Sequence, residues 1–279
     1  MKKRTKIWLG LAMILIFAGV SLCLAAFAMG LNYKDLSGMA YHGVFHFDEW
    51  FDDDQLDLKD ASTDKKNTEN ADQADALMIA LDYGKLTILS TDRSKPYLEV
   101  NTKEDEKYFH FNETNQSIRV YTPDNIIGIH STDSPEATLY IPENISFEYI
   151  EISVEAGSCS IQTVLDTHQL HVDVEAGNIS VQKMNADWLE LECDAGNISF
   201  DGQAVSGGTV EVAAGNVDLN IHGKKFEDYN YTIEVSVGDL IINDQNFSGI
   251  HGNYNIENHA KGTWMLNCDL GKIQMNIQS

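Results

Sequence analysis

The chain has 279 residues and sets 19 Lys and Arg against 43 Asp and Glu, for a formal net charge of −24. An excess of that size repels phosphate backbones and excludes nucleic acid as a partner. With 43% hydrophobic and 9% aromatic residues the chain can build a core, and with four prolines it is not collagen-like. Lys2, Lys3, Arg4, Lys6 and Lys34 all precede the first acid, Asp35, so everything from there onward holds 14 bases against 43 acids, or −29.

The first element is apolar. Ile7 to Asn32 runs 26 residues without a charge, and about 20 such residues span a bilayer. A cleaved signal peptide is the alternative, since Ala26-Phe27-Ala28 fits a small-x-small cleavage site, but the run exceeds a signal's apolar region. The expectation is an uncleaved single-span anchor over 7–32. Four positive charges precede it, and Asp48, Glu49, Asp52, Asp53 and Asp54 follow, so residues 1–6 face the cytoplasm and the rest lies outside the plasma membrane. Residues 33–75 read as an acidic stalk, with aromatics Tyr41, Phe45, Phe47, Trp50 and Phe51 and then a polar tract without periodicity.

From residue 76 to 279 the sequence repeats. Leu-His-Val-Asp-Val-Glu-Ala-Gly177-Asn-Ile-Ser-Val is followed by Leu-Glu-Leu-Glu-Cys-Asp-Ala-Gly196-Asn-Ile-Ser-Phe, and the unit recurs at Gly157, Gly215, Gly238 and Gly271, with an outlying copy at Gly84. In all seven copies the positions five and three before the glycine, and two and four after it, are apolar. For 28 positions the chance is about 10⁻¹⁰ before allowing for the choice of register. Apolar and polar residues alternate on each side of the glycine and the phase slips across it, so each unit is strand, corner, strand. Glycine is expected at the corner for a backbone conformation closed to other residues, and Asn178, Asn197 and Asn216 as the next most tolerant type.

A unit of about 20 residues cannot bury its apolar face alone, so copies must stack. The expected fold is all-β: a single-stranded β-solenoid, with irregular coils over 76–148, regular repeats over 149–279 and a loop inserted near 243–261. All four prolines fall between Gly84 and Gly157, where strands are expected at Tyr97 to Val100, Ser117 to Tyr121 and Thr138 to Ile141. The last coil, Trp264 to Ile277, is expected to end on an open edge that needs a cap or a partner.

The repeats at 172–181, 191–200 and 210–219, with the Leu139-Tyr140-Ile141-Pro142 lead-in and the basic-flanked apolar N-terminus, resemble the bacterial "putative adhesin" family. The resemblance covers roughly residues 76–279. It implies a membrane-anchored extracytoplasmic strand-repeat domain; some relatives accompany envelope-stress regulators. The family has no agreed catalytic residues, so none is carried over.

Two sets of side chains stand out. Cys159, Cys193 and Cys268 occupy core columns, at least two rungs apart, too far for a disulfide, and read as free buried thiols. The outward columns stack acids: Asp173, Glu192, Glu211 and Glu234 four before the glycine, Glu155, Glu175 and Asp194 two before it, of which Asp173, Glu175, Glu192, Asp194 and Glu211 form the candidate cation face. Like charges on one face repel unless a cation relieves them. The two readings are a solvated anionic face and a face for Ca²⁺ or a polycation. An enzyme acting on polysaccharide through paired carboxylates is the competing function, but the acid columns offer no Lys or Arg, and His168 with His171, and His251 with His259, read as loop or surface residues. No cofactor motif is present. The expected function is non-enzymatic: a cell-surface module that binds, as an adhesin or an envelope sensor, through a protein or envelope partner.

Overall fold

The computed structural model describes residues 73–279 apart from 102–104, 115, 124–133 and 144. The anchor expected over 7–32 and residues 33–72 of the expected stalk lie outside the described residues; the last three stalk residues, 73–75, instead open the first strand. No helix among the described residues is long and apolar enough to cross a membrane.

The described chain is almost entirely strand. In order these are β1 (Gln73–Leu81), β2 (Lys85–Thr91), β3 (Tyr97–Val100), β4 (His110–Glu113), β5 (Ser117–Tyr121), β6 (Glu136–Pro142), β7 (Ser146–Val154), β8 (Ser158–Ile161), β9 (Leu165–Val174) and β10 (Asn178–Cys193). They continue with β11 (Asn197–Ala204), β12 (Gly207–Val212), β13 (Asn216–His222), β14 (Tyr229–Val235), β15 (Asp239–Ile242), β16 (Gln245–Asn246), β17 (Gly252–Ile256), β18 (Gly262–Cys268) and β19 (Lys272–Gln278).

Parallel pairings arrange these strands in two long faces. On the first, β5, β1, β7, β9, the second half of β10, β12, β18 and β14 lie side by side. On the second the order is β6, β2, β8, the first half of β10, β11, β13, β19 and β15. Each coil crosses from the first face to the second at its glycine corner. The return is short: residues 184–186 of β10 pair with β9 on one side and β11 on the other. Adjacent outward residues, Gln182 with Lys183 and Asp187 with Trp188, mark the bends that bound it. Lys183 takes φ 58 at a register shift in the ladder, a bulge in the left-handed region.

Every one of the 28 aligned apolar positions is buried, none above 3% exposure. They form one continuous core between the faces, because side chains in register on successive rungs stack inward together.

The coil order departs from the chain order at both ends. The Gly84 coil is not an outlier; it is regular, and Ser158 N donates directly to Gly84 O at 2.9 Å. Outside it sits an eighth coil, β5 and β6, which buries Ile118, Val120, Leu139 and Ile141. At the far end the last coil is not an open edge. β18 and β19 lie between the β12–β13 and β14–β15 coils, so the chain passes beyond its final position and returns to fill the gap. The four true edges are each covered by an antiparallel strand: β4 on β5, β3 on β6, β17 on β14 and β16 on β15. Residues 243–261 are thus not a plain loop; they supply two of the four covers.

The far end is packed with aromatics. Trp264, Tyr229 and Tyr231 are fully buried, with Tyr229 edge-on to Trp264 at 5.9 Å, and Tyr229 Oη donates to Ala204 O at 2.5 Å. Gly208 lies in register between Leu189 and Trp264, and a Cβ there would collide with Leu189 O.

Candidate functional site

The corner glycines Gly157, Gly177, Gly196, Gly215, Gly238 and Gly271 are selected by crowding and not by backbone angle. Among the corners only Gly84 has positive φ, at 84°. A Cβ at Gly196 would collide with Val174 Cγ1 and Gly177 O, and one at Gly215 with Cys193 Sγ and Gly196 O. The corners lie directly on one another, with Asn197 N donating to Gly177 O and Asn216 N to Gly196 O, both at 3.0 Å. The asparagines that follow are likewise not there for backbone tolerance. They form an amide ladder: Asn197 Nδ2 donates to Asn178 Oδ1 at 2.7 Å and Asn216 Nδ2 to Asn197 Oδ1 at 3.0 Å.

The two outer faces differ in chemistry. Beside the amide ladder, the second face presents a row of Thr87, Ser160, Ser180 and Ser199 in register, and Lys85 Nζ pairs with Glu136 Oε1 there at 2.9 Å. The first face carries the acids. Asp173, Glu192 and Glu211 occupy successive rungs of one column, and Glu175 and Asp194 follow one another at the corner, where Ala195 N donates to Glu175 O. The structure therefore brings the five predicted acids onto one face. Burial first, and neighbouring carboxylates next, hold Asp173 and Glu192 above the usual carboxylate range, while His171 pulls both down.

The set whose ligand atoms converge is a different one. His171, Glu190 and Glu192 present one nitrogen and two carboxylate oxygens all within 4.8 Å of one another, the one group of three or more His, Cys, Asp and Glu among the described residues that does so. Of the five predicted acids only Glu192 belongs to it. His171, expected on a loop or surface, stands in the middle of the acidic sheet, on β9, with Nδ1 at 3.5 Å from Glu190 Oε2. On its other side the register partner is Glu151, a carboxylate only 7% exposed and raised chiefly by burial. Gln169 Nε2 donates to Glu190 Oε2 at 3.4 Å. His168 makes a separate contact, donating from Nδ1 to Asp187 Oδ2 at 2.7 Å, with Glu148 Oε2 at 3.7 Å from Nε2.

Two shallow depressions of about 260 and 250 Å³ indent the described surface, one bordered by Lys85, Asn101 and Glu136, the other by Glu234, His251 and Asp269. Neither touches the His171 cluster. Cys159, Cys193 and Cys268 are buried and free; burial pushes the Cys159 thiol up to about 12.

Comparison with known proteins places residues 57–278 within the family described as Toastrack DUF4097. Among solved structures, a putative cell adhesion protein from Clostridium sporogenes matches with 15% identity and a TM-score of 0.45, covering 77% of this chain and 97% of that one. A putative adhesin from Bacteroides fragilis matches with 12% identity and a TM-score of 0.41, covering 73% and 92%. No curated protein matches the chain.

Proposed function

The chain belongs to the Toastrack DUF4097 family, and we propose that it is a non-enzymatic binding module held at the cell surface by a single membrane span at 7–32, with its coil stack outside the plasma membrane. The observation that carries this reading is the contrast between two flat, continuous faces, one acidic over successive coils and one lined by hydroxyls and amides. Binding along a flat repeating surface suits an extended or repetitive envelope partner, whereas a small substrate needs a concave pocket.

Fractionation of cells producing the full chain tests the placement: the protein stays in the membrane pellet after alkaline carbonate extraction, and protease added to cells stripped of their outer layers digests it. Recovery in the soluble fraction, or protection from protease, contradicts it. For the binding role, the variant D173N/E192Q/E211Q reduces attachment to isolated envelope material while its thermal unfolding stays cooperative. Unchanged attachment moves the contact surface to the other face. An altered response to antibiotic stress without any change in attachment favours envelope sensing over adhesion.

A further inference from the structure

We propose that His171, Glu190 and Glu192 form a binding site for one borderline divalent transition ion of the Zn²⁺ class. The ligand set itself argues for this. Imidazole suits zinc and its neighbours, whereas a Ca²⁺ site takes six to eight oxygens; here a nitrogen and two carboxylates converge within 4.8 Å. Three protein ligands with a fourth position left to water or a bound group is a coordination that zinc accepts. The two glutamates are positioned by the fold. They stand two residues apart on β10, hence on the same face of the sheet, and His171 is the register partner of Glu190 on the adjacent rung.

The surroundings independently lack a compensating cation. Glu151 and Asp173 lie beside His171 across and along the sheet, and Glu211 lies beside Glu192 on the next rung. No Lys or Arg is in register with any of the three ligands: their partners are Glu151, Thr209, Asp173 and Glu211. Glu151 is nine-tenths buried, and its side chain is hydrogen-bonded with that of Tyr149. A divalent ion supplies the charge that this group of carboxylates otherwise lacks. Gln169, donating to Glu190, restrains one ligand from outside, as outer partners do in metal sites.

The test is calorimetric titration of the full chain, free of any polyhistidine tag, with Zn²⁺, then Ca²⁺, at neutral pH. The expected result is one Zn²⁺ per chain, with at least about tenfold weaker binding in H171A and in E190Q/E192Q, no loss in H168A, and no displacement by millimolar Ca²⁺. Co²⁺ in place of Zn²⁺ gives a visible d–d band that H171Q abolishes, so the assignment does not depend on the alanine variant folding. Absence of saturable Zn²⁺ binding below about 100 µM, retention of full affinity in H171A and H171Q, loss of affinity in H168A instead, or displacement by Ca²⁺ would each overturn the proposal.

Discussion

Gly196 shows how a single residue can be indispensable for a reason its sequence context does not announce. Its backbone is ordinary, yet a methyl group there meets Gly177 O and Val174 Cγ1, so G196A forces the rungs apart and costs about 2–3 kcal/mol, an overpacking penalty. Gly223 is the opposite case: its φ of 72° disfavours a side chain but the space around it is open, and G223A costs about 1 kcal/mol from the left-handed backbone alone. Urea unfolding of the two variants, compared at constant m-value, distinguishes crowding from strain. His168 gives a pH signature at the same scale. Its hydrogen bond to Asp187 first, and the Glu148 charge next, raise its pKa above the ordinary imidazole value. A raised folded-state pKa means the stabilising contribution is full below the unfolded value of 6.5 and is lost as pH rises through the folded one. Titration by NMR therefore finds the His168 midpoint above 6.5 and finds it returned toward that value in D187N; an unshifted midpoint in the parent chain contradicts the contact. The buried Cys159, with its thiol pushed up to about 12, does not react with a thiol reagent at pH 8 in the native protein and reacts once denatured.

At the scale of strands and coils, what sequence could reveal followed from what a column averages over. The four apolar columns recur in seven copies, so they were readable, and all 28 side chains proved buried. The eighth coil was not readable as a coil because the sequence between Tyr121 and Glu136 does not repeat the glycine-centred pattern of the other seven, although β3 and β5 lie where strands were expected. The Asn ladder was visible as a pattern but its cause was not: amide-to-amide bonding requires knowing that the coils lie in register. The His171 site was within reach. Aligning the position six before the glycine sets His171 next to Glu190 in one column, but attention to the positions four and two before it left that column unread. At the bulge, Lys183 holds φ 58 without the benefit of being glycine; K183G gains about 0.5–1 kcal/mol in chemical denaturation, and a destabilised K183G would mean that the lysine side chain contributes something the backbone account omits.

Over the whole molecule, sequence spacing could count coils but not order them, since every coil presents the same columns to either neighbour. The returns at both ends, which place the Gly84 coil second and the final coil seventh in the stack, satisfy the same periodicity as a simple progression. They matter to function because they decide which outward residues become neighbours, and because, among the described residues, each outer rung pairs with an antiparallel strand over part or all of its length, which limits end-to-end pairing of copies. The acids of the first face are likewise gathered by the fold, with Asp173, Glu192 and Glu211 on successive rungs of one column. Paired cysteines test the stacking order directly. Asp218 and Gln274 are register partners across β13 and β19, one rung apart at about 4.8 Å, within disulfide reach. Asp218 and Ile241 are separated by that same intervening rung, at about 9.6 Å. Oxidation of D218C/Q274C should yield the intramolecular disulfide by peptide mass mapping with the native fold retained, and D218C/I241C should not; the reverse result would show that the last coil ends the stack and would contradict the architecture on which both faces depend.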